Sequence, residues 1–451
     1  MSLRARARHF VLRTTLRPTA ANRSGRCDRR EGNDRPARRA PQGRVGLGLL
    51  ALVAACAPSA ALAADLPADL PGEARRLVGA GQGVYVEAED GTVLVAEAAA
   101  RAVHPASVSK LATTLALLRS LGPDHRFETR FLARGPIRDG ALEGGLAVRA
   151  DGDPYFVDEN AILVAHALHG LGLVRVRDDL VVEGRILFDW KPDALAPRLR
   201  RALEGGVPDE AWRAVRERTG GGGQAPRLAF GRGTTGRTGD AAPGETLLVT
   251  HRSQPLRFML KALNGYSNNI FAPFAEAAGG IESVERRTRD VLPAAWREEL
   301  RLGDGAGAHR ANRMSPRVAV AILKTLAAEL APHGLDLADV MPVAGVDAGT
   351  LEKRLVGPDG QGIVVAKTGT YGDYGACALA GALRTRRHGL VYFAILNRGV
   401  PIVEGRRRQD AFVRVLMQAL EARPWGYARD DAPAFTRAEV VTAATTSRPA
   451  P

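Results

Sequence analysis

"HPASVSKLATTLALLRSLG", residues 104–122, sets Ser107 and Lys110 at the head of an otherwise apolar helix closed by Gly122-Pro123. Leu111, Leu115 and Leu118 mark that helix as well buried, so a solvated lysine in its first turn is out of place. Lysine is also scarce: only six of the 63 basic residues are Lys (110, 191, 261, 324, 353 and 367), and the rest are Arg. Arginine keeps its proton near neutral pH, whereas a partly buried lysine amine can release one and serve as a base. Positions i and i+3 share a helix face, so the amine at 110 can reach the hydroxyl at 107. A serine on the first turn also has the positive end of the helix dipole beneath it, which favours an attacking alkoxide and aims a backbone N–H at an oxyanion. A capped helix with a surface lysine would give the same letters, so the pair needs company.

Two further segments supply it. "GYSNNIFA" (265–272) places Ser267 and Asn269 two residues apart, although Ser267 alone reads equally as a helix cap. "GIVVAKTG" (362–369) ends a β-branched run in Lys367, Thr368 and Gly369, followed by Thr370. Such an edge strand sets a cation and a hydroxyl beside a cleft, with Gly369 leaving room for a substrate backbone; a strand ending in a turn is the plainer account. S-x-x-K, S-x-N and K-T-G in this order match the pattern of penicillin-binding proteins and class A β-lactamases.

The sequence therefore resembles the D-alanyl-D-alanine carboxypeptidase/endopeptidase family of low-molecular-mass class C penicillin-binding proteins, peptidase family S13. "THRSQPL", "DGAGAHRANRMSPR", "PVAGVDAGTLEKRL" and "AKTGT" extend the likeness over both halves of a split core. The resemblance implies Ser107 as nucleophile and Lys110 as its general base, with Ser267 passing a proton toward the leaving amine. It further implies Asn269 holding Lys110 and the substrate amide, and Lys367 and Thr368 binding the terminal carboxylate. The backbone N–H groups of Ser107 and Thr370 would form the oxyanion hole. The chemistry is acyl transfer through a serine ester, with no metal and no cofactor. Peptidoglycan peptides are the implied substrates and β-lactam antibiotics the implied covalent inhibitors.

Four departures from the family pattern bear on detail. Asn268 stands where the family usually has Asp. Ala306 in "DGAG" (304–307) replaces a usual Ser. Only 160 residues separate Ser107 from Ser267, so the inserted unit is reduced, and "TYGDYGAC" lengthens the link after K-T-G.

The formal charge of +14 suggests nucleic acid until it is mapped. Residues 1–45 carry 13 Arg against three acids, or +10, which leaves +4 for the rest, and no basic run with interleaved aromatics follows. "GRVGLGLLALVAACAPSAALAADLP" then reads as an export signal: Arg44, a short apolar core, and "ALA" at 61–63 as the cleavage site. The core is too short to span a membrane. "VAAC" also resembles a lipobox, which would leave lipidated Cys56 as a surface anchor. An extracytoplasmic, periplasmic location is expected. Cleavage leaves Cys377 alone, so no internal disulfide staples the fold, and its apolar setting makes it a small core residue.

The expected fold class is α+β, a DD-peptidase/β-lactamase-like antiparallel sheet flanked by helices, with an inserted second domain. The expected boundaries are a basic disordered extension (1–45), a signal peptide (46–63), a split catalytic domain (64–124 and 246–430), a reduced insert (125–245) and a disordered tail (431–451). Two rivals remain at this point. A β-lactamase would need a deacylating base that no local pattern supplies, and an inactive wall-binding scaffold is suggested by the shortened insert and substituted positions.

Overall fold

The computed structural model describes residues 69–191, 195–219, 225–231, 234–236, 244–266, 271–357, 359–372 and 375–443. The expected extension, the signal segment and the pair Ser267 and Asn269 lie outside these residues. In chain order the principal strands are β1 (Gly83–Ala88), β2 (Val93–Glu97), β3 (Glu128–Ala133), β4 (Leu146–Phe156), β5 (Leu180–Phe188), β6 (Thr246–Arg252), β7 (Val364–Tyr371), β8 (Ala376–Thr385), β9 (Leu390–Asn397) and β10 (Glu439–Thr442). The principal helices are α1 (Leu70–Leu77), α2 (Lys110–Leu121), α3 (Asp158–Gly170), α4 (Leu195–Leu203), α5 (Leu256–Asn264), α6 (Pro316–Leu330) and α7 (Ile402–Ala419).

One sheet runs β7-β8-β9-β1-β2, antiparallel throughout. "ACALAGALRT" and "LVYFAILN" are apolar nearly end to end because both faces of the sheet are covered. Alternate side chains serve two cores: Ala378, Ala380 and Ala382 meet α2 and α6, while Leu379 and Leu383 meet α1 and α7. The alanines keep the α2 side shallow, which lets the turn ahead of α2 approach the sheet. Every residue of α2 from Lys110 to Leu118 is buried, so this helix is enclosed on all sides. β7, with the K-T-G residues, stands at the end of the strand order, as the edge-strand reading expected.

A second sheet runs Thr234–Gly236, β5, β4, β3, β6, β10 and is mixed: β4 and β5 are parallel, while β3, β6 and β10 pair antiparallel. Its core is filled by Phe131, Val148, Phe156, Leu180 and residues of α3 and α4, including Leu168 and Leu199. Two expectations change here. β6, placed with the catalytic half in the sequence reading, pairs with β3 of the insert. The tail expected to be disordered from 431 is ordered through Ala443: Ala434–Arg437 form a 3-10 turn and β10 adds to the open edge of β6. The β-branched "EVVT" suits a strand, but its partner lies far upstream, so no local pattern announces the pairing. The described residues all fall within one compact unit, Pro67–Pro451.

Local differences have local causes. The helix expected from 106 begins as a 3-10 turn, Ala106–Ser109, and becomes α-helical only at Lys110. Past Ser267, which could read as a helix cap, the described helix is Ala272–Ala277. Ile281–Asp290 form a helix followed by a 3-10 turn, Ala294–Glu299, with Pro293 between them removing a backbone donor.

Candidate active site

The turn before α2 is backbone under tension. Ala106 has φ of +49°, a left-handed conformation that costs a residue with a side chain about 1–2 kcal/mol. Its surroundings enforce it. The Ala106 N–H donates to His104 Nδ1 at 3.2 Å, and its carbonyl accepts from Ser109 Oγ at 3.0 Å. Two glycines press against the turn. A Cβ on Gly369 would stand 2.6 Å from the Pro105 carbonyl oxygen and 3.1 Å from Ser107 N, and one on Gly307 would stand 2.1 Å from the Ala106 oxygen. Gly307 also has φ of +90°, so both geometry and space require glycine there.

His104 is the keystone of that turn, and sequence reading missed it. Its ring stacks on Tyr371 with centroids 4.2 Å apart, and its Nε2 lies 3.1 Å from the His309 carbonyl. With Nδ1 accepting from Ala106, Nε2 carries the proton and donates. Burial pushes its pKa below the ordinary imidazole value, which keeps this neutral tautomer.

Ser107 and Lys110 meet as expected: Lys110 Nζ is 2.9 Å from Ser107 Oγ. The amine also donates to the Ala306 carbonyl, and the Phe271 ring lies 5.7 Å from Nζ. Ala306 lacks the hydroxyl usual in the family pattern and contributes through its backbone instead. Lys110 is fully buried, and burial pulls its pKa down to about 7 against the opposing charge of Asp304. Asp304 shapes the carbonyl-bearing loop by accepting from the N–H groups of Gly307 at 2.7 Å and His309 at 2.9 Å, and from Asn312 Nδ2 at 2.9 Å. Thr113 Oγ1 donates to the Gly305 carbonyl at 2.9 Å, tying the loop to α2.

Lys367 and Thr368 sit beside this pair on β7. Lys367 is fully buried, and burial, then the neighbouring Lys110, hold its pKa well below the usual lysine range. Its Nζ donates to the Thr368 carbonyl at 3.0 Å and to the Tyr266 carbonyl at 3.5 Å. Thr368 Oγ1 is 2.7 Å from Thr350 Oγ1, which in turn is 3.2 Å from the Gly265 carbonyl. Thus Tyr266 and Phe271, on either side of 267–270, each lie against one of the two lysines. Among the described residues no group of three His, Cys, Asp or Glu could hold a metal ion, and no helix is long and apolar enough to cross a membrane.

A serine hydroxyl against a buried amine, on a strained turn pinned to an edge strand bearing K-T-G, defines a serine acyl-transfer hydrolase of the penicillin-recognising type. The comparisons agree. Residues 64–192 and 232–419 match the D-Ala-D-Ala carboxypeptidase 3 (S13) family, and the chain belongs to that family. It is thereby a peptidase. The D-alanyl-D-alanine carboxypeptidase of Actinomadura sp. (strain R39) is 26% identical over 70% of this chain and 77% of its own length. Carboxypeptidase DacB of Mycolicibacterium smegmatis is 26% identical over 74% of this chain and 79% of its own. In fold, the chain is similar to Bd3459, a predatory peptidoglycan endopeptidase from Bdellovibrio bacteriovorus (TM-score 0.68, 20% identity, 80% of this chain and 99% of that one). Penicillin binding protein 4 of Haemophilus influenzae is a second structural relative (TM-score 0.56, 19% identity, 76% and 98%).

Proposed function

We propose that this chain removes or cleaves next to D-alanine on peptidoglycan stem peptides, with Ser107 as the acylated residue. Neutral Lys110 takes the Ser107 proton while Oγ attacks the carbonyl carbon of the scissile bond. The oxyanion is held by the N–H groups of Ser107 and Thr370. Collapse expels the amine of the leaving residue, which receives a proton through Ser267, with Asn269 holding Lys110 and the substrate amide. Water then attacks the ester, returning the proton to Ser107 and releasing the shortened peptide. Lys367, Thr368, Gly369 and Thr370 form the subsite for the terminal carboxylate, whose charge favours the ammonium form of Lys367.

The observation that carries this reading is the 2.9 Å approach of Lys110 Nζ to Ser107 Oγ in a buried site where burial brings the amine to about 7. β-Lactams would be trapped at the same ester. Support for that comes from relatives: Bd3459 is known as a penicillin G acylated form and the Haemophilus protein as a β-lactam complex. The pairing of β6 with β3 supports an insert running from about 125 to 252 rather than ending at 245. Export through 46–63, with release or a lipid anchor at Cys56, places the enzyme outside the cytoplasm. Intact mass after incubation with penicillin G tests the core of the reading: one adduct per chain, mapped to Ser107 and lost in Ser107→Ala, is expected. An adduct at another residue, or none on folded protein, rules it out.

A further inference from the structure

β7 carries a second hydroxyl, that of Thr370, with a cation behind it. Arg406 of α7 donates from Nη2 to Thr370 Oγ1 at 3.0 Å. Its neighbours on the same helix, Arg407 and Arg408, both pair with Glu404. Arg406 has no carboxylate within ion-pair distance among the described residues. The helix comes close enough for this contact because residue 405 is glycine: a Cβ there would meet Cys377 Cβ at 3.2 Å, and Cys377 is the register partner of Thr370. Thr368 and Thr370 are alternate residues of one strand, so their hydroxyls share a face about 7 Å apart.

We infer that Arg406 is a positioning and specificity residue for the substrate's free C-terminal carboxylate, acting through Thr370. A hydroxyl that accepts from a guanidinium has its own proton left to give, so Thr370 is set as a donor toward the subsite. The guanidinium also adds a positive field to an end of the cleft that must receive an anion. The inference rests on the reading of the site as a D-Ala-D-Ala peptidase and adds the residue that makes it prefer a carboxylate over an uncharged terminus.

The test measures KM and kcat for an acyl-D-Ala-D-Ala peptide and the competitive inhibition constant of its C-terminal amide, in wild type, Arg406→Ala, Arg406→Gln and Arg406→Lys. Loss of the guanidinium should raise KM for the free acid about 10-fold, with Lys intermediate. It should leave kcat within about twofold and the amide's inhibition constant unchanged. In a Thr370→Val background the Arg406→Ala change should add less than about twofold. An unaltered KM, or equal losses for acid and amide, would overturn the inference. Fluorescent penicillin at saturation separates this failure from that of the underlying reading. A single label on Ser107 in Arg406→Ala leaves the peptidase assignment standing, whereas an unlabelled wild type removes both.

Discussion

Acidification should silence this enzyme through one amine. Burial holds Lys110 at about 7, partly offset by Asp304, and only the neutral amine can accept the Ser107 proton. About half the molecules are then competent at pH 7, about 10% at pH 6 and about 1% at pH 5, with a plateau above about pH 8. A lysine at its ordinary value of 10.5 would be neutral in only about 0.03% of molecules at pH 7, so burial supplies about three orders of magnitude in usable base. The second-order rate of acylation by a fluorescent penicillin, followed from pH 5 to 9 beside D-alanine release, reads this directly. His104, pushed to the acid side of ordinary imidazole, titrates below Lys110. Lys367→Ala should keep the limb near pH 7, because that limb belongs to Lys110. Lys110→Arg, which retains a cation but cannot deprotonate, should lose acylation altogether. A profile flat from pH 5 to 8, or an arginine variant with more than a few per cent of the rate, would refute the reasoning.

Three other outcomes follow from the same geometry. Gly369→Ala forces its Cβ to within 2.6 Å of the Pro105 oxygen, so β7 and the Ser107 turn must separate; acylation should fall about 100-fold, as expected for a displacement near 1 Å, and wild-type rates would contradict it. Lys110→Met should melt higher than wild type at pH 7, because the unfolded lysine binds a proton that the buried amine resists, a penalty that grows as the pH falls from 10.5 toward 7; an equal or lower Tm argues against it. In the second sheet, Asp153 and His251 are both fully buried with Oδ2 and Nδ1 3.9 Å apart, a separation that suggests an ion pair, yet burial pushes the acid up to about 7 and the imidazole down to about 3, so both are neutral near pH 6. The unfolded acid ionises near 3.8, so the cost of keeping Asp153 buried grows as pH rises from about 4 to 7, while His251, common to both proteins, cancels in the comparison; Asp153→Asn should gain on the order of 2–4 kcal/mol over wild type at pH 8 relative to pH 4 by urea denaturation, and a pH-independent difference would count against it.

The catalytic half was legible because its signals are local. The spacing of Ser107 and Lys110 on one turn, the apolar runs of β8 and β9, and the edge position of β7 all follow from short-range patterns. What stayed hidden depends on contacts between distant segments. His104 reads as an unremarkable residue before a proline until Tyr371 and the 309 carbonyl close around it. Ala306 looked like a loss, yet what Lys110 uses is its backbone oxygen, which no side chain advertises. Thr350, within "PVAGVDAGTLEKRL", and Arg406 meet the hydroxyls of Thr368 and Thr370 through contacts that no spacing along the chain announces. Ser267 and Asn269 lie outside the described residues, although Tyr266 and Phe271 beside them touch the two lysines.

The pairing of β10 with β6 has a consequence for biosynthesis and for engineering. The strand that completes the second sheet is made long after its partner β6, so that sheet's outer seam stays bare until β10 has emerged. Excising residues 125–245 as a free-standing module would leave out both β6 and β10, exposing the edge of β3 that β6 covers as a sticky margin for other chains. Affinity tags and reporters are better fused after a spacer beyond Ala443 than grafted onto a shortened terminus.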